Sequence, residues 1–222
     1  MLNNMISIVL RDIKINNKSF TDLLFILSIY IGLVLIFPLS LGPSSKLLST
    51  LAPSIVWICA LITSISVIDK FFTLDMNDGW LELLLISNIP LEMIVLMKAL
   101  SHWLSVGLPL IIISPVVCIF LNMPISSIPI TICSLILGTC SLTLIGMMGA
   151  ALVLGAKKTN TIVILLVLPL TVPVLIFGVA TINAHINGNS YTPHILLSAM
   201  CLSFLIALSP IATSTAIRIA IE

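Results

Sequence analysis

Six long apolar runs dominate this chain of 222 residues, and each is close to the length that crosses a lipid bilayer. A transmembrane helix needs about 20 mainly apolar residues. Only 8% of the residues are charged, whereas soluble domains carry about 25%. The sequence therefore predicts one all-α membrane domain over residues 1–222, with six transmembrane helices. The runs lie roughly at Leu23–Leu39, Leu51–Ile68, Trp103–Leu121, Ile128–Leu154, Ile162–Ile182 and Ile195–Ile217.

Several runs contain residues that bend helices or let them approach closely. Gly138, Gly146, Gly149 and Ala150 fall in the fourth run, and Gly146 and Ala150 form a small-xxx-small pair. Prolines inside a helix each remove a backbone hydrogen bond and can kink it. Together these residues predict a compact bundle of bent helices. The prolines are Pro109, Pro115, Pro169, Pro173 and Pro210.

The basic residues are distributed unevenly between alternate loops. If the N-terminus faces the cytoplasm, eight basic residues fall on that side and only Lys46 falls outside. Because cytoplasmic loops carry an excess of Lys and Arg, we expect both termini to be cytoplasmic. The eight are Arg11, Lys14, Lys18, Lys70, Lys98, Lys157, Lys158 and Arg218. The outer loops are then short, at about Ser40–Thr50, Asn122–Ser127 and Asn183–His194.

The first 20 residues alternate apolar and basic side chains. Ile6, Val9 and Leu10 share a helical face that excludes Arg11 and Lys14, which is typical of an amphipathic helix lying in the membrane interface. We expect an interfacial helix over residues 1–20; a plain polar leader is the alternative. The charges also argue against a cleaved signal peptide.

One long polar stretch, Asp69–Lys98, interrupts the apolar pattern and falls on the cytoplasmic side. It contains five of the eight acidic residues. Residues Asp75–Ile86 are predicted to form a short helix with Asp78 or Gly79 as N-cap and Glu82 in the first turn, where carboxylates complement the helix dipole. We interpret it as a docking element for a soluble partner, or alternatively as a helix lying on the membrane. The five acidic residues are Asp69, Asp75, Asp78, Glu82 and Glu92.

The motifs of several functional classes do not occur. The sequence has no Gly-x-x-x-x-Gly-Lys-Ser/Thr loop for nucleotide, no His-Glu-x-x-His and no Gly-x-Ser-x-Gly. A net charge of +1 without a basic patch argues against nucleic acid. The five cysteines lie in apolar runs without metal spacing, so we expect reduced core residues and no metal site. Energy for transport, if used, would come from another subunit, and we expect no catalytic site here.

Five segments, in order along nearly the whole chain, resemble the haem exporter protein B (CcmB) family of the bacterial cytochrome c maturation system. They include a Phe-Pro-Leu-Ser-Leu-Gly-Pro stretch, an Asp-x-x-Asp-Gly-x-Leu-Glu loop and a Lys-Ala-Leu-Ser-His-Trp stretch. The segments are Phe37–Pro43, Leu51–Trp57, Asp75–Glu82, Lys98–Pro115 and Leu168–Pro173 with Leu208–Pro210.

The resemblance implies an ABC type 2 permease with a cytoplasmic coupling helix, located in the bacterial inner membrane. ATP would bind a separate ATPase subunit, and haem would be handled by the complex rather than by a cofactor site in this chain. The implied partners are that ATPase, a haem-handling membrane subunit, a small membrane subunit, a haem chaperone, the lipid bilayer and a second copy of this chain. ATP hydrolysis would drive haem delivery or release of the haem-loaded chaperone. The residues that fall on the coupling segment are Asp75, Asp78, Gly79, Leu81 and Glu82.

Other readings stay open at this point. The chain could be a type 2 exporter permease for a lipid, drug or polysaccharide, or a passive membrane scaffold. His102 lies at the predicted inner edge, and His185 and His194 lie in the last outer loop. Haem iron is often held by histidine, but a lone interfacial histidine is more often a surface or hydrogen-bonding residue. We therefore expect no haem ligand in this chain.

Overall fold

The computed structural model describes residues 20–42, 44–68, 70–85, 89–154 and 159–221. Of the predicted interfacial helix over residues 1–20, only Phe20 is described, and it begins the first helix. Lys157 and Lys158 lie outside the described residues, as do Arg11, Lys14 and Lys18. The predicted interfacial helix therefore stays a prediction.

The described residues form α-helices, one short 3-10 turn and no strand. Six helices are long and apolar enough to cross a membrane, which confirms the predicted all-α membrane protein with six spans. Two short helices, α3 and α4, lie between the second and third spans. The helices are α1 Phe20–Leu41, α2 Ser45–Ile65, α3 Lys70–Asn77, α4 Trp80–Leu85, α5 Leu91–Phe120, α6 Ile128–Leu152, α7 Thr159–Ile186 and α8 Thr192–Ile221.

The third span starts well before its predicted position. The sequence predicted a loop that continues to Lys98 and a span from Trp103, whereas α5 begins at Leu91 with Pro90 at its N-cap position. The helix can begin there because Ile94 and other apolar side chains of the first turns are buried. Lys98 does not interrupt it, because that ammonium is paired with a carboxylate from α3.

Two of the three loops predicted for the outer side are shorter than expected, whereas the loop at Asn122–Ser127 has about its predicted length. Only residues 42–44 separate α1 from α2, and only residues 187–191 separate α7 from α8. Lys46 therefore lies in the first turn of α2. His185 lies in the last turn of α7 and His194 in the first turn of α8, rather than in a loop.

Each predicted breaker proline lies inside a continuous helix: Pro109 and Pro115 in α5, Pro169 and Pro173 in α7, and Pro210 in α8. One of them shows how the lost hydrogen bond is replaced. A proline at 115 cannot donate to the carbonyl of Ile111, and the hydroxyl of Ser114 donates to that oxygen instead, at 2.8 Å. Neighbouring Ser and Thr side chains commonly make such proline positions tolerable in membranes.

The indole of Trp57 holds three helices together at the centre of the bundle. Trp57 lies on α2 and is fully buried. It packs against Gly138 on α6 and Gly178 on α7 so closely that a Cβ at either glycine would lie nearer than 3.0 Å to its ring. One helical turn from Gly138, the hydroxyl of Ser134 donates to the carbonyl of Gly178 at 3.1 Å. The two glycines therefore form a slot for one large aromatic side chain.

The small-xxx-small pair on α6 has a related role. A Cβ at Gly146 would lie 2.9 Å from the side chain of Ile68, in the turn that follows α2. Ala150, one turn further, is buried. The small residues therefore let the chain leading into α3 lie close against α6.

We expect Gly178→Ala to destabilise the bundle, because the added methyl group overlaps the Trp57 ring. Overpacking of this kind costs about 1–3 kcal/mol. Gly32→Ala is the matched control, since a Cβ at Gly32 meets nothing within 4 Å. Thermal unfolding in a mild detergent should show a lower midpoint for Gly178→Ala alone, and Trp57→Leu in the same chain should recover part of the loss. Equal midpoints for both alanine variants would contradict the slot.

Candidate partner-coupling site

The polar stretch between the second and third spans folds as two short helices. The sequence predicted one helix over Asp75–Ile86, but α3 ends at Asn77 and α4 begins at Trp80. Gly79 has a φ of +68°, a conformation that glycine adopts without strain and that ends a helix. The prediction of a single helix is therefore wrong, and Ile86 lies outside the described residues.

The start of α4 agrees with the predicted capping. Gly79 stands at the N-cap position, and its carbonyl accepts a hydrogen bond from the Leu83 N–H at 3.5 Å. Glu82 lies in the first turn of α4. A carboxylate there interacts favourably with the free backbone N–H groups.

The five predicted coupling residues divide into two sets. Asp75 and Leu81 are buried against the bundle. Asp78 and Glu82 are exposed, and Gly79 at the turn is half-buried. The α3–α4 segment therefore has an inner side that binds the bundle and an outer side that carries two carboxylates.

The inner side is anchored by a buried ion pair. The Lys98 ammonium on α5 donates to Oδ2 of Asp75 on α3. The Lys98 Nζ atom also lies 6.0 Å from the ring centroid of Phe72, within the range of a cation–π contact. Two charges removed from water depend on each other, because removing either one deprives the other of this compensation.

A second contact between α3 and α5 lies one turn away. The imidazole of His102 stacks on the ring of Phe71, with centroids 3.7 Å apart and planes inclined by 25°. His102 is buried, and the Phe71 ring of α3 covers one face of its imidazole. The other predicted histidine of interest, His185, contacts the carbonyl of Ser126 at 3.0 Å through Nε2.

A further polar link joins the start of α5 to the end of α8. The carboxylate of Glu92 accepts a hydrogen bond from the Ser214 hydroxyl at 3.2 Å. The same oxygen lies 3.8 Å from Nη2 of Arg218. Ser214 and Arg218 are four residues apart and share a helical face, so this link fixes one end of α8 next to the start of α5.

Lys98, His102, Ser214 and Arg218 were not predicted as site residues. Lys98 was used only to predict which loops are cytoplasmic. Lys98 and His102 are four residues apart, however, and therefore lie on one face of a helix. Phe71 and Asp75 are also four residues apart. This shared spacing was the one signal in the sequence that could have indicated contacts between the two helices. Within the described part of the chain, no three His, Cys, Asp or Glu residues come together as a metal site would require.

We expect Asp75→Asn to lower the free energy of unfolding by about 3–5 kcal/mol, because the buried Lys98 ammonium loses its Asp75 carboxylate partner. Asp78→Asn removes the same charge from an exposed position and should change stability by no more than about 0.5 kcal/mol. Denaturant titration in mixed micelles measures both. A loss of similar size for the two variants would show that the Asp75 pair is not what anchors α3.

Comparison with known proteins identifies the family. The CcmB protein family model matches residues 3–220. Heme exporter protein B from Pseudomonas aeruginosa is 38% identical over 188 residues, which cover 85% of this chain and 84% of that protein. The proteins of the same name from Paracoccus denitrificans and Escherichia coli K12 are 36% identical over 214 residues and 37% identical over 196 residues. These matches cover 96% and 87% of this chain, and 98% and 88% of the two proteins. The chain therefore belongs to the CcmB protein family.

Proposed function

We propose that this chain is the membrane permease subunit of an ABC transporter complex for cytochrome c maturation, driven by a separate ATPase subunit. The observation that carries the proposal is the two-sided α3–α4 segment. Its inner side is anchored to α5 through Asp75 and Lys98, and its outer side exposes Asp78 and Glu82. Family membership supports haem as the molecule that the complex handles, since the relatives carry the name heme exporter protein B.

The outer side of the segment has the composition of a small docking surface. Met76 and Leu83 are 40% and 54% exposed, so apolar side chains stand beside the carboxylates of Asp78 and Glu82. A soluble partner with a basic rim around an apolar groove would match both properties, because complementary charges set specificity and apolar burial supplies affinity. The proposed occupant is the ATPase subunit, where ATP is bound and hydrolysed.

The remaining partners follow from the family. We propose a haem-handling membrane subunit, a small membrane subunit, a haem chaperone and a second copy of this chain as members of the complex. The spans α1 and α8 are the least buried of the six, and their apolar surfaces are available to lipid or to these subunits. This chain would contribute movement rather than chemistry: ATP hydrolysis on the partner would shift α3 and α4, and the bundle would respond.

The proposed orientation places the α3–α4 segment in the cytoplasm of the bacterial inner membrane, with both termini on the same side. We expect a cysteine at Asn189, in the loop between α7 and α8, to react with a membrane-impermeant maleimide added to intact spheroplasts. A cysteine at Glu82 should react only after the membrane is opened. Both variants are made in a chain whose native cysteines are replaced. Labelling at position 82 but not at position 189 in intact spheroplasts would overturn the proposed orientation.

We expect Asp78→Lys and Glu82→Lys to weaken association with the ATPase subunit by at least about tenfold. Like charges across an interface cost several kcal/mol, and about 1.4 kcal/mol corresponds to a factor of ten. Both side chains are exposed, so the variants should still fold and insert. Co-purification of the ATPase in mild detergent measures association, and the amount of mature cytochrome c in cells measures function.

The control for this experiment is Lys46→Glu, which reverses an exposed charge in the first turn of α2, on the proposed opposite side of the membrane. It should retain the ATPase and mature cytochrome c. If Asp78→Lys and Glu82→Lys both retain the ATPase and mature cytochrome c as the wild type does, the docking role of the outer side is wrong.

A further inference from the structure

The contacts between α3 and α5 form a regular pattern. Phe71 and Asp75 are four residues apart on α3, and Lys98 and His102 are four residues apart on α5. Phe71 meets His102 and Asp75 meets Lys98. The order is reversed, so the two helix segments run antiparallel and touch twice along one seam. Residues four apart lie one above the other on a helix face, so the two contacts are one turn apart on each helix.

All four side chains of this seam are removed from water. Their exposed fractions lie between 6% and 7%. A single contact would let α3 pivot about one point on α5. Two contacts one turn apart fix both the position and the angle of α3, and the ion pair cannot exchange its partner for water without a large penalty.

The seam joins the segment that carries the exposed carboxylates to the long helices. Asp75 is three residues before Asp78, which follows the end of α3. On the other side, His102 is adjacent to Trp103, whose Nε1 donates to the Thr139 hydroxyl of α6 at 3.0 Å. The side chains thus connect α3 to α5 and α5 to α6.

We propose that Asp75 and Lys98, together with Phe71 and His102, are positioning residues that make α3 and α5 move as one rigid body. A displacement applied by the ATPase at Asp78 and Glu82 would then reach the membrane-spanning part of α5 without loss in a flexible loop. The origin of that displacement rests on the proposed function. The rigidity of the seam does not, and it can be measured separately.

A purely stabilising pair and a positioning pair differ in how they respond to removal of both charges. Asp75→Asn with Lys98→Met removes both charges of the pair, so neither is left facing a neutral side chain and the fold should be retained. One of the two contacts of the seam is nevertheless lost. Asp75→Lys with Lys98→Asp restores an attraction with the charges exchanged. The three chains together form the test set: the original pair, the neutral pair and the exchanged pair.

The first measurement is the distance between spin labels on the two helices. The labels are attached to cysteines introduced by Met76→Cys on α3 and Leu100→Cys on α5. Met76 and Leu100 lie next to the seam and are 40% and 44% exposed. The labels are placed in the full chain, within its membrane complex, after replacement of the five native cysteines. We expect one narrow distance distribution for the original pair, a distribution at least twofold broader for the neutral pair, and recovery for the exchanged pair. Equal widths for the original and neutral pairs would overturn the proposal.

The second measurement is cytochrome c maturation in cells that lack their own permease subunit. We expect the neutral pair to retain the ATPase subunit on purification, yet to mature at least tenfold less cytochrome c than the original pair. The exchanged pair should recover most of this loss. A neutral pair that matures cytochrome c at the original level would show that the seam is not needed for coupling.

The two measurements separate failure of this inference from failure of the proposed function. If the original chain itself neither retains an ATPase nor supports maturation, the proposed function is wrong, while the label distances still report on the seam. If the original chain does both and the neutral pair is equally rigid, only the positioning role is wrong.

Discussion

The bundle depends on the placement of one aromatic side chain between two glycines. Inside a bilayer, apolar side chains gain little by leaving lipid for another helix, so helices associate through close packing and a few polar contacts. The Trp57 ring fills the slot between Gly138 and Gly178 and thereby ties α2 to both α6 and α7. The central helix α6 also packs against α5 and α8. The position of α6, and through it of the helices around it, therefore depends on how the slot is filled.

Most buried hydroxyl groups of the bundle do not hold helices together, because they bond to the carbonyl three or four residues earlier on their own chain. This satisfies the polar group without committing it to a neighbouring helix, so a helix can shift without losing that bond. Crossing bonds such as Trp103 to Thr139 and Ser134 to Gly178 are the exceptions. The hydroxyls that bond locally include Thr63, Ser101, Ser105, Thr131, Ser141, Thr143, Thr171, Thr181 and Ser198.

The six spans could be predicted from sequence because length and apolar composition are properties of each segment alone. The start of α5 could not be predicted, because the charge of Lys98 is typical of a loop residue. Only its pairing with Asp75, 23 residues earlier, shows why a helix can include it. The N-cap at Asp78 or Gly79 was predicted, but the separate helix α3 that ends at Asn77 was not, because its residues fall in the stretch that was interpreted as a polar loop. The slot for Trp57 depends on Gly178 in a helix that is apolar on all sides, and such a helix gives no indication of which face meets a neighbour. The docking role of Asp78 and Glu82 stays a prediction.

The ionic links of the described bundle lie at the end that carries α3 and α4. Asp75 pairs with Lys98 there, and Glu92 lies beside Arg218. The strength of such links depends on the surrounding water, because the attraction between two charges rises as the local dielectric constant falls. A subunit that covered this end would exclude water mainly from the pair of Glu92 and Arg218, whose side chains are 40% and 60% exposed, because Asp75 and Lys98 are already buried. Assembly would then strengthen the link between α5 and α8, whereas the buried link between α3 and α5 would keep its strength with or without a partner.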